Sequence, residues 1–296
     1  MKLKISITLI IVFIGLSANL GASDKVSKNK IKRVILLKDE QSLNVKVVFG
    51  AGTINILPAG GDTLLEALMY YFDSDAEPEI NYYIQGDKGY LEISSSPSNN
   101  SKDKEDTNIN INSFDELKKN VWNIRVSQKV VIKMQVEMGA AKSDFDFGKM
   151  KLSGLTIECG ASDSRINFSE ENPIEMKKLT LKAGVSKIRG KNFLNANFKK
   201  FVFNGGVGIY HFNMGGELRQ KADIDMNLGG ASATIELNEQ TPFILKVDDS
   251  FLSSVRVENA EKKGGRYKSY NYKKDSPFLN INTDIGIGTF ELLVGE

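Results

Sequence analysis

Residues 157–168 read IECGASDSRINF, and residues 136–147, twenty-one positions earlier, read VEMGAAKSDFDF. In both, apolar and polar residues alternate up to a glycine with a small neighbour, and the alternation then resumes. Read outward from here, the same corner returns at Gly50, Gly139, Gly160, Gly184, Gly206, Gly229 and Gly286, with successive intervals of 21, 24, 22 and 23 residues between Gly139 and Gly229. Self-similarity at that period indicates a solenoid.

Columns aligned on the glycine reinforce the reading. Five positions before it stand Val45, Met134, Leu155, Leu179, Phe201, Ile224 and Ile281. Three before it stand Val47, Val136, Ile157, Leu181, Phe203, Met226 and Thr283, and six after it Ile56, Phe145, Ile166, Gly190, Phe212, Ile235 and Leu292. The residues between these are mostly polar, so period two sends one set inward and the other to water. Each unit is therefore two short strands joined at a glycine corner. The corner is expected to need glycine for a sharp turn through positive φ and for close packing against the next coil. One coil buries too few apolar side chains to repay the ordering of its own backbone. Stacked coils share a core and a hydrogen-bond ladder, which makes the array the cooperative unit. The expected fold is an all-β, single-domain β-solenoid with a strand-rich N-terminal cap.

Composition agrees with a folded chain. Of 296 residues, 41% are hydrophobic and 26% charged, ordinary for a protein with a sizeable core. With 39 Lys and Arg against 37 Asp and Glu, the net charge is +2, so no general polyanion such as nucleic acid is indicated. A single cysteine, Cys159, allows no internal disulfide. The opening MKLKISITLIIVFIGLSANLGAS has lysines, a short apolar run and small residues, the layout of a secretory signal peptide. The run is short for a membrane span, and an uncleaved anchor is the alternative. No cysteine stands near the cleavage region, so a lipid-anchored form is not expected.

Along the chain, residues 1–23 are read as the signal, 24–34 as a polar linker, 35–120 as an N-terminal strand region and 121–296 as the solenoid. The N-terminal region holds a first rung at 43–58, a strand at 64–72 and a hairpin, INYYIQGDKGYLEIS, turning at Asp87-Lys88-Gly89. Residues 95–113 are polar and read as a loop. Late in the chain, 243–257 reads as another rung with a widened corner, 258–277 as an inserted loop, and 278–296 as the segment that closes the stack.

The segments VKVVFGAGTINI, LLEALMYYF, VWNIRVSQKVVIKMQVEMGA, LTIECGASDSRINF, KKGGRYKSYNY and LNINTDIGIGTFEL, in that order, resemble the bacterial toast-rack family, related to LiaF-like cell-wall stress proteins and adhesin-type β-solenoids. The resemblance spans about residues 43–294. It implies an envelope-associated solenoid and brings no catalytic residues.

Site chemistry is sparse. One histidine and one cysteine offer no zinc spacing. The glycines lie between strands and not ahead of a helix, so they form no phosphate loop. A solitary histidine supports no Ser/His/Asp arrangement. No metal or cofactor is expected, and Cys159 reads as a small buried residue. Two candidates remain. The fifth position after the corner reads Asp144, Arg165, Arg189, His211 and Thr234, a ladder about 4.8 Å apart if the coils stack in register. It suits an acidic sugar, and the plain alternative is a solvated strand face. In 258–277, Lys262, Lys263, Arg266, Lys268, Lys273 and Lys274 alternate with Tyr267, Tyr270 and Tyr272, a pattern suited to polyanions, sugars or a protein partner. Its alternative is a flap whose tyrosines lie on the solenoid. Trp122 reads as a cap on an exposed core end. The expected role is an exported, non-enzymatic envelope or surface scaffold that binds an envelope protein or a glycan, linked by the resemblance to envelope stress or adhesion. The competing reading is a carbohydrate binder or carbohydrate-active enzyme using the Asp144-to-His211 face. The mature chain is expected to lack a membrane span.

Overall fold

A computed structural model describes residues 29–71, 77–95 and 120–295. The expected signal peptide and most of the polar loop fall outside the described residues. Sixteen strands are described: β1 (Asn29–Leu36), β2 (Ser42–Ala59), β3 (Thr63–Tyr71), β4 (Pro78–Gln85), β5 (Lys88–Ser95), β6 (Val121–Ser127), β7 (Val131–Asp146), β8 (Leu152–Asn167), β9 (Lys178–Lys191), β10 (Lys200–Asn213), β11 (Ala222–Asn238), β12 (Phe243–Asp249), β13 (Ser253–Val257), β14 (Ala260–Lys263), β15 (Arg266–Ser269) and β16 (Leu279–Gly295). They form one open sheet, in which β2, β7, β8, β9, β10, β11 and β16 are parallel neighbours in that order.

These seven strands are the seven glycine coils, in register. Val45 pairs with Met134, Met134 with Leu155, Leu155 with Leu179, Leu179 with Phe201, Phe201 with Ile224 and Ile224 with Ile281. All seven are buried. The chain is a β-solenoid. Each strand bends at its glycine into a first limb before the corner and a second limb after it.

The corner glycines differ from expectation in their reason for being glycine. None of them has positive φ. What excludes a side chain is the preceding coil: a Cβ on Gly160, Gly229 or Gly286 would meet the carbonyl oxygen of the preceding corner glycine at 2.8, 3.0 and 3.1 Å, and on Gly139, Gly184 and Gly206 closer still. The corner is a steric column, each carbonyl aimed at the next glycine.

Two glycines at buried positions, Gly190 six residues after the corner Gly184 and Gly205 one residue before the corner Gly206, leave gaps that rings fill. A Cβ on Gly190 would strike Phe193, carried on the short 3-10 helix Phe193–Ala196. One on Gly205 would lie 2.7 Å from Tyr210. The return segments between strands form a third wall, in which Phe147 packs tilted against Phe145, Phe168 lies between Phe147 and Phe193, and Phe193 meets Phe201 and Phe212 with its ring tilted or edge-on. Irregular backbone there finds its partners in asparagines. Buried Asn172 donates to the carbonyls of Leu152 and Ala196 at 2.8 and 3.1 Å. Asn195 and Asn197 do the same for Phe168 and Ile174.

Both ends depart from simple sequence order. The first coil, β2, lies between β6 and β7, which are consecutive in the chain. The last coil, β16, lies between β11 and β12. So 278–296 does not close the stack as expected: the 243–257 rung, β12 and β13, lies outside it. Residues 29–34, expected as leader, belong to β1, which pairs with β3. The β4–β5 hairpin turns at Gly86-Asp87, one residue earlier than expected, because Gln85 pairs with Lys88.

Candidate functional site

Asp144, Arg165, Arg189, His211 and Thr234 stand opposite one another on β7 to β11, as the ladder reading requires. Their charges are not left for a ligand. Arg165 approaches Asp144 at 3.8 Å, Arg189 pairs with Asp163 at 2.9 Å, and His211 Nε2 lies 3.1 Å from Glu236. A small depression of about 270 Å³ opens where Asp144, Asp163 and Arg165 meet Lys142. The one carboxylate of the ladder, Asp144, thus lies beside Arg165, and the carboxylates of Asp163 and Glu236 lean toward Arg189 and His211 at a solvated surface.

The segment 258–277, expected as a loop, contains β14 and β15. Gly264 and Gly265, at φ 59° and 75°, make its tight turn, the backbone a two-residue hairpin favours. β15 runs antiparallel to β12, so the hairpin widens the sheet. Arg266 and Tyr270 are exposed, whereas Tyr267 packs against the core and Tyr272 meets Phe278 edge-on at 5.0 Å. Lys262 lies over Tyr267 and Lys268 over Tyr272, at 4.9 and 4.4 Å from the ring centres. Arg266 and Tyr270 therefore face solvent, while Tyr267 and Tyr272 serve the packing.

Cys159 is buried, but in company the sequence reading missed. Ser162 donates to its Sγ at 3.2 Å, Ser186 lies 3.6 Å away, and Ser143, Ser164 and Ser162 continue as a hydroxyl chain. Tyr210, 1% exposed, has a hydroxyl without a partner. Burial, with a contribution from Cys159, pushes its phenol up to about 12. Trp122 is buried against Phe49 at 4.8 Å, beneath the outermost N-terminal strands. Among the described residues no cluster of His, Cys, Asp and Glu could hold a metal ion. None of the described helices is long and apolar enough to cross a membrane.

The outer face of the first limb carries a further feature that sequence reading did not find. A groove of about 740 Å³ lies there, bounded by Tyr83 and Tyr90 at one end and Lys177 and Lys178 at the other. Its residues come from β2, β4, β5, β7, β8 and β9, with Lys177 just ahead of β9, so no short motif announces it.

Parallel coils, a glycine column and interleaved ends define a β-solenoid of the toast-rack type. The chain belongs to that family: the pattern described as the N-terminal domain of toast_rack, DUF2154, matches residues 21–191. No curated protein matches. Among solved structures it is similar to a candidate cell adhesion protein from Clostridium sporogenes, at TM-score 0.48 and 18% identity, over 91% of this chain and 100% of that one. A candidate adhesin from Bacteroides fragilis gives TM-score 0.39 and 14% identity over 90% and 99% of the two chains. A candidate lipid binding protein from Parabacteroides distasonis gives 0.31 and 12% over 90% and 97%.

Proposed function

We propose that the protein is an exported, non-enzymatic scaffold of the bacterial envelope or surface, which presents rows of side chains to a binding partner. The observation that carries this reading is the register of the coils. Seven stacked strands hold outward residues at a fixed spacing of about 4.8 Å, the ladder's one carboxylate, Asp144, lies beside Arg165, and Arg189 pairs with Asp163. General acid–base work needs a proton-transfer group left free within reach of a bound substrate. This surface offers recognition by repetition. The signal-like N-terminus and membership of the toast-rack family support an envelope setting, with adhesion or stress response as the processes it would serve.

Protease treatment of intact cells bearing an epitope-tagged chain tests the location. Loss of the tag from intact cells is expected. Protection until the cells are lysed, with the tag in the cytosolic fraction, would overturn the reading. The hairpin is tested separately by deleting residues 261–272, which removes exposed Arg266 and Tyr270. Unchanged attachment of deletion-bearing cells would remove the hairpin from the binding surface.

A further inference from the structure

We infer that the groove on the first-limb face is a binding site for an anionic carbohydrate chain. This deepens the surface-scaffold reading and rests on it for its biological setting. Three independent features meet in the groove.

The first is an aromatic platform. Tyr83 and Tyr90, paired across the β4–β5 hairpin, stack at 4.9 Å with their planes 10° apart, and Tyr83 is 58% exposed. An exposed tyrosine ring joined to a polar tip suits the apolar face of a sugar ring with its hydroxyls at the rim.

The second is unmet positive charge. Farther along the same face Lys182 lies beside Glu158 at 2.9 Å, Lys200 beside Asp225 at 2.7 Å and Lys246 beside Asp248 at 2.7 Å. Inside the groove Lys46 has Glu92 at 3.4 Å. Lys133, Lys177 and Lys178 line the groove with no carboxylate partner among the described residues. Three lysines gathered in a single groove, without a carboxylate of their own among the described residues, suit anionic groups supplied by a ligand.

The third is space that the fold does not require. Gly154 lies in the groove on an outward position of β8, between Lys133 and Lys178. A Cβ there would make only ordinary contacts, at 3.8 Å to the Lys178 carbonyl and 3.9 Å to Lys133 Cγ. Unlike the corner glycines, it is not forced by packing, and its effect is to leave the groove open. Beside it β8 shifts register against β7, and Ser153 bonds to the Ile132 carbonyl at 3.0 Å. Such a bulge re-aims side chains locally.

From Tyr90 to Lys178 the groove crosses four strand spacings, about 19 Å, the length of an oligosaccharide. A peptide bound by strand addition would need an open sheet edge, and this is a sheet face. Single-stranded nucleic acid favours separate rings for successive bases, whereas these two tyrosines cover each other and offer one outer face.

The test is fluorescence anisotropy with the mature chain and labelled oligogalacturonate, against a neutral malto-oligosaccharide, poly-glutamate and oligo-dT. Oligogalacturonate is expected to bind, more weakly as salt rises. Tyr83→Ala and Gly154→Gln should each weaken it at least about tenfold, a change of about 1.4 kcal/mol. Lys178→Ala should weaken it a few-fold and flatten the salt dependence. Gly154→Gln should leave the melting temperature unchanged, which separates a blocked groove from a damaged fold. No binding of oligogalacturonate, equal binding by the variants, or tighter binding of any of the other three probes would overturn the inference. Failure here with the tag exposed on intact cells removes the groove and leaves the scaffold reading standing. Binding here by a chain that stays in the cytosol does the reverse.

Discussion

The two ends of the stack are built by one device with opposite chemistry. At each end a terminal coil is inserted between two strands that are consecutive in sequence: β2 between β6 and β7, β16 between β11 and β12. Each inserted coil is then covered in two pieces. The first limb of β2 is covered by the β5–β4 hairpin and its second limb by β6 and β3. The first limb of β16 is covered by β12 with β15 and β14, and its second limb by β13. A coil held on both sides cannot fray as a free terminal repeat does. The outer edges carry Lys30, Lys32 and Arg33 on β1 and Lys262 and Lys263 on β14, charges that discourage edge-to-edge pairing.

The difference lies in the glycine column. Because every corner carbonyl points toward the next glycine, the N-terminal end is left with a donor and the C-terminal end with an acceptor. Ser95 Oγ accepts from the Gly50 N–H at 3.0 Å, and Ser250 Oγ donates to the Gly286 carbonyl. A hydroxyl can play either part, so serine serves at both ends. The lesson is that a parallel stack has a direction, and its two caps must be chemically complementary to that direction.

The largest expected effect tests the apolar plug of the N-terminal end. Trp122 is fully buried and has no counterpart of its size beneath the C-terminal hairpin. Trp122→Ala should cost about 3–5 kcal/mol, read as a shift of the urea midpoint. Tyr267→Ala, at the partly buried position on the opposite end, should cost distinctly less. Equal losses would mean that the two ends are stabilised alike.

Next comes the column itself. Gly184→Ala places a methyl against the Gly160 carbonyl in mid-stack and should destabilise by about 1–3 kcal/mol. Gly50→Ala, whose Cβ would sit 3.4 Å from Ser95 Oγ, should be close to neutral. If both were neutral in the same denaturation series, close approach could not be the reason for these glycines. Smaller again are the caps: Ser95→Ala and Ser250→Ala should each cost about 1 kcal/mol, and their effects should add, because the sites lie at opposite ends of the stack.

How much of this was legible is itself a physical matter. The middle of the stack was readable because Met134, Leu155, Leu179 and Phe201 repeat at one period, and a periodic core writes itself into sequence. The apolar gaps at Gly190 and Gly205 were not, since Phe193 and Tyr210 fill them from another position in the chain. Nor was the order of the ends. Alternation records which face a strand buries, but not which neighbour it chooses, so chain order made 278–296 the expected last coil although 243–257 lies outside it. The ladder from Asp144 to His211 was found because its register follows from the core columns. Its pairing with Asp163 and Glu236 depends on side chains leaning across adjacent coils. The groove escaped because Tyr83, Gly154 and Lys178 are each unremarkable alone.

The smallest effect concerns the polar ladder that joins β16 to β11. Asn280 donates to Asp223 at 2.8 Å and Asn282 to Asp225 at 3.0 Å, while Lys200 pairs with Asp225 at 2.7 Å. Burial raises the Asp225 carboxyl, but the hydrogen bonds from Lys200 and Asn282 outweigh it and hold the group below the usual carboxylate value. A carboxyl depressed in the folded state stabilises the fold above its unfolded pKa, about 3.9. That contribution is lost as pH falls from there through the folded value. Asp225→Asn should therefore lower the melting temperature at neutral pH, by the equivalent of under about 1 kcal/mol for a solvated pair. The difference from the parent chain should close as pH drops below about 4. A gap that stays constant across that range would show that charge contributes nothing to locking the last coil, leaving the amide ladder and the apolar columns to hold β16 in its slot.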